Sequence, residues 1–279
     1  MNDVIDKAKK MIENVGELPP IPSVILKTLE LLNDSNATLK KVQEEILKDP
    51  ALTAFLLKVS NSSLYGLRRE ITTITHAVNL IGYDAVRSII LSYMTKEFHK
   101  GASKMIQNTM WKHSFSTAII AKKIAEYIKI DPEEAFITGL LHDIGKGVIL
   151  KNKPTEFNEI IELIFNENLC SIDAEKKVLE YTHVEIGYLL MKKWGFSEKI
   201  VESLIYHNDL VDYTGENLLV PISSLANKLS HLNEFSFTKW FNRWEEDMVE
   251  LTILNLSESE MENIVEKAIP EIAANLDSL

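Results

Sequence analysis

The chain has 279 residues, 46% hydrophobic and 25% charged, which permits one large folded domain or two modest ones and excludes disorder as a starting assumption. Its formal net charge is −11, from 41 acidic against 30 basic side chains. That field repels phosphate backbones, and the cations stand in ones and twos among acids, as at Lys122-Lys123 and Lys192-Lys193, so nucleic acid is disfavoured as a partner.

The first segment, Met1 to Gly16, is amphipathic and charged throughout, unlike a secretory signal. No apolar run approaches the roughly 20 residues a membrane span needs, so the expectation is a cytoplasmic protein without a membrane partner. Helix punctuation then recurs along the chain. Asp49-Pro50 sets a capping carboxylate before a proline at the first helical position, and Leu52, Phe55, Leu56 and Val59 follow on one face. Asn61-Ser62-Ser63 reads as a helix terminator. Glu70 to Ile74 is the one weak strand candidate, and it is too short to found a sheet. Gly82 should end a helix in a left-handed turn, and a strongly apolar helix follows from Ala85 to Phe98. A helix-turn-helix across Gly82 is disfavoured, because the second helix offers only Arg87 and Lys96 as cations.

Lys100-Gly101-Ala102-Ser103 is the softest boundary. The expected division is an N-terminal helical lobe over residues 1–100 and a second helical lobe over 101–279, packed together for want of a flexible tether. In the second lobe, His113 lies in the first turns of an amphipathic helix running through Ala118, Ile124 and Ile128. Asp131-Pro132 starts another helix, with Glu134 as its third residue and His142-Asp143 near its end. Cys170, the single cysteine, excludes an intramolecular disulfide and fits a reducing compartment. It reads as a small buried hydrophobe rather than a nucleophile. Thr182 and Glu185 form a capping box with His183 as the first residue inside it. Gly195 ends that helix, and His207 lies in the last turn of the next. Trp240, Phe241 and Trp244 are spaced for one helix face and read as packing. Ser257 and Glu260 form another capping box. The fold expectation is all-α, with about a dozen helices and no sheet.

Imidazole and carboxylate are ligands for Zn²⁺, Fe²⁺, Mn²⁺ or Mg²⁺, and in helical proteins they converge from facing helices. Taken singly, each histidine is more often a hydrogen-bonded core residue or a dipole-complementing one at a helix end. The adjacent pair His142-Asp143 changes that balance. Gly145 removes side-chain bulk beside it, and Lys146 can hold a phosphate as a point charge.

Gly139-Leu140-Leu141-His142-Asp143-Ile144-Gly145-Lys146 resembles the signature of the HD superfamily of metal-dependent phosphohydrolases, and His113 matches that family's upstream histidine. Thr182-His183-Val184-Glu185-Ile186-Gly187 and Tyr206-His207 resemble the two added histidines of the HD-GYP branch. Leu18-Pro19-Pro20-Ile21-Pro22, Asp49-Pro50-Ala51-Leu52-Thr53, Val59-Ser60-Asn61-Ser62 and Ile74-Thr75-His76-Ala77-Val78-Asn79-Leu80-Ile81-Gly82 are together similar to the HDOD domain, the HD-related output domain of bacterial signalling proteins. The resemblance runs from about Leu18 to His231. It implies an HDOD architecture of two helical lobes and a partly retained metal site made by His113, His142, Asp143, His183 and His207. One firm ion and a weaker second are expected. Asn227 stands where the family places a last carboxylate ligand, His207-Asn208 stands where the HD-GYP branch has paired histidines, and that branch's Gly-Tyr-Pro loop is missing after Asp209. Two functions follow from the resemblance. One is a signal-transduction module acting through contacts with signalling proteins. The alternative is a working phosphohydrolase on a nucleotide or other phosphoester, in which Asp143 and Lys146 are catalytic.

Overall fold

The computed structural model describes residues 21–62, 64–66, 70–210, 213–233, 235–236 and 248–276. The described residues form helices joined by short turns, with no strand among them; the β pairing is an isolated bridge between Lys100 and Ala102. The all-α expectation therefore holds. Two compact units emerge: Thr95–Glu266 is one, and the described parts of Pro20–Met94 and Lys267–Leu279 form the other.

In the second of these units, α1 (Ser23–Asn33), α2 (Leu39–Ile46) and α3 (Pro50–Ser60) pack in sequence. Asp49 caps α3 by accepting from the backbone N–H of Ala51 and Leu52, both at 3.0 Å. The predicted face is buried at Leu52, Leu56 and Val59, with Phe55 half-buried. Asn61 ends α3 and does more than terminate it. Its amide donates to Ile71 O at 2.7 Å and accepts from Ile71 N at 2.6 Å. The weak candidate at Glu70 to Ile74, too short to found a sheet, is accordingly not a strand. A side chain satisfies both backbone groups of Ile71, in place of a ladder partner. Next comes α4 (Ile74–Phe98), two helical runs joined at Gly82, whose φ of 84° is open to glycine and strained for other residues. After Gly82, Val86, Ile89, Ile90, Leu91 and Met94 are buried and Arg87 pairs with Asp84, so this helix is core and not a groove reader.

The other unit is organised by α5 (Lys104–Ile128), which is buried at Phe115, Ala118, Ile119, Ile120, Ala121 and Ile124. The helix begins at Lys104, with Ser103 as its cap, so His113 lies mid-helix and not in its first turns. Against α5 lie α6 (Pro132–Leu141), capped by Asp131 through Glu133 N and Glu134 N, and, later in the chain, α12 (Leu219–Leu232). Gly139 permits the α5–α6 approach: a Cβ there would meet Thr117 O at 2.7 Å and Ala118 Cα at 2.8 Å.

Between them run α7 (Ile144–Asn152), α8 (Pro154–Glu167), α9 (Ser171–Leu179), α10 (His183–Lys193) and α11 (Glu198–Tyr206). The capping box of Thr182 and Glu185 is present at the start of α10. Gly195 closes that helix with φ 73°, its N–H bonded to Lys192 O and that of Phe196 to Met191 O, the paired pattern of a Schellman stop. Cys170, expected to be buried, is half-buried at the start of α9. Its place before a helix leaves one side open to solvent. The described chain closes with α13 (Val249–Leu254) and α14 (Glu258–Leu276), the latter entered through the Ser257–Glu260 box. Trp240, Phe241 and Trp244, like Met1 to Gly16, lie outside the described residues. No helix among the described residues is long and apolar enough to cross a membrane.

Candidate metal centre

All five predicted ligands belong to the Thr95–Glu266 unit, and their side chains converge. His113 projects from the middle of α5. His142 is the C-cap of α6, Asp143 the N-cap of α7, His183 the first residue of α10, and His207 the C-cap of α11. Helix ends thus supply four of the five, where a ligand enters without disrupting intrahelical bonds.

Close backbone packing sets the register. A Cβ on Gly145 would stand 2.0 Å from His183 O and 2.9 Å from Gly187 N. Only glycine lets the first turn of α7 press against the first turn of α10, and that contact brings His183 to Asp143.

Two triads share the Asp143 carboxylate. His113, His142 and Asp143 form one; Asp143, His183 and His207 form the other. In the first, His113 Nε2 and His142 Nε2 are 3.1 Å apart and lie 3.5 and 3.3 Å from Asp143 Oδ2. In the second, His183 Nε2 and His207 Nε2 are 3.3 Å apart and lie 3.2 and 3.5 Å from Asp143 Oδ1. Two nitrogens bound to one ion at about 2.05 Å with tetrahedral angles stand about 3.3 Å apart. Both triads have that spacing.

Hydrogen bonds fix which imidazole nitrogens are bare. His142 Nδ1 donates to Gly139 O at 2.7 Å, and His207 Nδ1 to Leu204 O at 2.6 Å. His183 Nδ1 donates to Glu175, 2.7 Å from Oε2 and 2.9 Å from Oε1, and Glu175 also accepts the His183 backbone N–H at 2.8 Å. Each of these histidines therefore turns Nε2 inward, with a backbone carbonyl or carboxylate behind it, the arrangement that orients metal-binding imidazoles. His113 Nδ1 faces Ser230 Oγ at 3.1 Å.

The electrostatics draw positive charge inward. Burial pushes the Asp143 carboxyl up, but Lys146 at 2.7 Å from Oδ2 and the neighbouring imidazoles overcome it and hold the pKa well below the usual range. Asp143 Oδ1 nonetheless has no hydrogen-bond partner. Burial lowers His183, yet Glu175 outweighs it and raises the pKa. Burial drives His207 down to about 4 and His113 well below its ordinary value. Bare nitrogens facing a carboxylate oxygen that accepts nothing fit a divalent cation.

The centre is closed to solvent. Exposure is 3% at His113, 1% at His142, 5% at Asp143 and 0% at His183 and His207. Lys146, read as a phosphate-holding cation, is 5% exposed and ion-paired with Asp143. A surface depression lined by Asp131, Glu134, Lys199 and Glu216 shares no residue with the centre. Asn227 is buried, donates to His207 O at 3.4 Å, and leaves its Oδ1 unpartnered.

Sequence reasoning missed four residues around the centre. Glu175 is the backing carboxylate of His183, and Ser230 holds His113. His231 lies against His113 with the rings tilted and their centroids 4.5 Å apart, and burial lowers its pKa well below the ordinary value. His99, just past α4, is buried with Nδ1 unpartnered and a pKa lowered to about 4 by burial, within electrostatic reach of Asp143 and Lys146. A Glu one residue after Ala174, on the apolar side of an amphipathic helix, was the available signal for Glu175. The other three carry none.

Known proteins bear on this geometry. A solved HDOD domain protein from Geobacter sulfurreducens is 27% identical, with a TM-score of 0.83 over 99% of this chain and 98% of that one. A Shewanella amazonensis structure described as a candidate phosphohydrolase is 24% identical with a TM-score of 0.75, covering 96% of each chain, a likeness of fold. Among curated sequences, an uncharacterized protein of Treponema pallidum is 23% identical over 211 residues, 73% of this chain and 40% of that protein. Ribonuclease Y of Mesoplasma florum is 28% identical over 155 residues, 54% of this chain and 25% of the enzyme. This chain thus matches less than half the length of either relative. The HDOD domain family matches residues 18–210, and the chain belongs to that family.

Proposed function

We propose that the chain is a signal-transduction module that works through protein contacts and carries a divalent metal inside its Thr95–Glu266 unit. The observation that carries this reading is the burial of the donors. No member of the two triads is more than 5% exposed, so a bulky phosphoester reaches them only if helices move apart. A metal enclosed in this way ties α5, α6, α7, α10 and α11 together, and its loading then governs the surfaces those helices present. The donor set, four imidazoles and one carboxylate, suits Zn²⁺, Fe²⁺ or Mn²⁺ better than the oxygen-preferring Mg²⁺.

The alternative is a metal-dependent phosphohydrolase. Two donor triads on one carboxylate favour it, since paired ions clamp the attacking and leaving oxygens of a phosphoester. In that reading Asp143 orients the centre, and Lys146, once released from Asp143, takes the phosphate charge. Ribonuclease Y, by its name, acts on RNA, but a net charge of −11 argues against a polyanionic substrate here.

A screen of nucleotides and generic phosphoesters, with Mn²⁺, Fe²⁺, Zn²⁺ and Mg²⁺ each supplied, separates the two. The signalling reading expects no turnover above an Asp143→Ala control. Metal-dependent turnover lost in that variant would replace it with the hydrolase reading.

A further inference from the structure

The two triads are not equivalent. In the first, every polar atom has a use without an ion. Ser230 Oγ can donate to His113 Nδ1, leaving the His113 Nε2 proton for His142 Nε2 at 3.1 Å, while Lys146 supplies a cation to Asp143 Oδ2 at 2.7 Å. An ion entering there must displace a proton and sit beside an ammonium group. The second triad is incomplete. His183 and His207 have both committed their Nδ1 hydrogens outward, to Glu175 and to Leu204 O. Their Nε2 atoms face Asp143 Oδ1, which is buried and accepts nothing. A further donor stands at this side. The half-buried Asn208 amide has Nδ2 2.8 Å from His207 Nε2 and 3.3 Å from His183 Nε2. Turned about its Cβ–Cγ bond, the same amide offers Oδ1 to a cation.

From this asymmetry we infer that the firmly held ion belongs to the second triad, bound by Asp143, His183, His207 and Asn208, with Glu175 as the positioning residue for His183. The first triad is the weaker site. The inference rests on the reading that the centre holds metal, and it says where.

Glu175 is argued from cost as well as contact. A carboxylate at 2% exposure is expensive to bury, and here it accepts from His183 N, His183 Nδ1 and Ser171 Oγ at 2.8 Å. Such backing carboxylates fix the ring and raise its basicity, and their loss typically weakens metal binding about 10–100-fold. Lys146 acts in the opposite direction on Oδ2.

The test uses the full chain, stripped by chelation and titrated with Zn²⁺ while bound metal is counted. The expected result is one tight ion in wild type, retained in His113→Ala and lost in His183→Ala. Glu175→Gln keeps an acceptor for His183 but removes the charge. It should weaken the tight ion about 10–100-fold, alongside a lower thermal midpoint of the metal-free protein, because the amide nitrogen cannot accept from the buried His183 donors. Restoration of the affinity by Glu175→Asp would mark a charge effect rather than a packing one. If the histidine variants fail to fold, anomalous scattering from a Zn²⁺-loaded wild-type crystal gives the position directly. The strong peak should lie between His183 and His207. A tight ion that depends on His113 and survives His183→Ala, or a strong peak beside His113, overturns the assignment while leaving a metal-binding protein. Wild type that takes up no Zn²⁺, Mn²⁺ or Fe²⁺ overturns the metal reading itself and the assignment with it.

Discussion

Replacing Gly145 by alanine isolates the contact that builds the centre, since it adds one methyl group and no charge. The new Cβ would lie 2.0 Å from His183 O, 2.8 Å from His183 C and 2.9 Å from Gly187 N. All three are backbone atoms, so no rotamer change relieves the clash, and α7 and α10 must separate. Overpacking of this kind costs about 1–3 kcal/mol, and more where backbone must shift. Alanine recovers about 0.5–1 kcal/mol of helix propensity. The net expectation is about 2 kcal/mol of destabilisation, which lowers the thermal midpoint by roughly 4–8 °C in a domain of this size. Because the separation moves His183 from Asp143, metal affinity should fall as well. Gly187→Ala is the matched control. Its Cβ would meet the methyl ends of Leu204 at 2.9 and 3.3 Å, which can turn away, so the loss should stay under about 1 kcal/mol. Differential scanning calorimetry with and without Zn²⁺ reads both effects. A Gly145→Ala protein as stable as wild type, with unaltered metal content, would refute the claim that this glycine sets the spacing of the centre.

Asn227→Asp should destabilise the metal-free protein by about 3 kcal/mol, because it buries a carboxylate and removes the donor to His207 O. Excess Zn²⁺ should return part of that loss, about 2.7 kcal/mol at a hundredfold excess over Kd, seen as a larger metal-induced midpoint shift than in wild type. Acid should destabilise the metal-free protein well before its carboxylates titrate. His99 and His207 are held at about 4, and His113 and His231 well below 6.5. The unfolded chain therefore binds protons that the folded one refuses. Stability is complete above about pH 6.5 and falls between there and about 4, by up to about 3 kcal/mol for each of His99 and His207 at about 1.36 kcal/mol per pKa unit. His183, with its pKa raised, acts oppositely: its contribution is present at low pH and fades as pH rises past its folded value. Four lowered histidines outweigh one raised, so urea midpoints should drop from pH 7 to pH 5; a midpoint rising over that interval contradicts the assignment.

What was legible in the sequence was what is local. Caps at Asp49, Asp131, Thr182–Glu185 and Ser257–Glu260 depend on side chains reaching backbone within three residues, so type and spacing reveal them. Three of the site histidines were readable by the same route, because His142, His183 and His207 lie beside helix boundaries. The length of Glu70–Ile74 rightly excludes it from a sheet, but its partner was hidden: the Ile71 backbone is satisfied by Asn61, ten residues away, and no local pattern encodes that pairing. Glu175, Ser230, His231 and His99 acquire meaning only when particular helices meet. The place of Glu175 on the apolar side of its helix hints at burial, but nothing local names His183 as its partner. Closure of the centre was equally hidden, since the depth of Lys146 and Asp143 follows from the glycine contacts at 139 and 145 and not from their own identities. The grouping of Lys267–Leu279 with the N-terminal segment is a long-range property of the same kind.

The central claim is a buried metal centre joined by one shared carboxylate, and Asp143→Asn tests it most directly. The change keeps side-chain volume and removes the charge both triads share. Elemental analysis of wild type and variant, each purified without chelator after growth in metal-supplemented medium, should find a divalent transition metal at near one equivalent or more in wild type. The variant should hold almost none, with an unchanged far-UV circular dichroism spectrum. Equal metal content in the two proteins, or a wild type that carries none, would contradict the account.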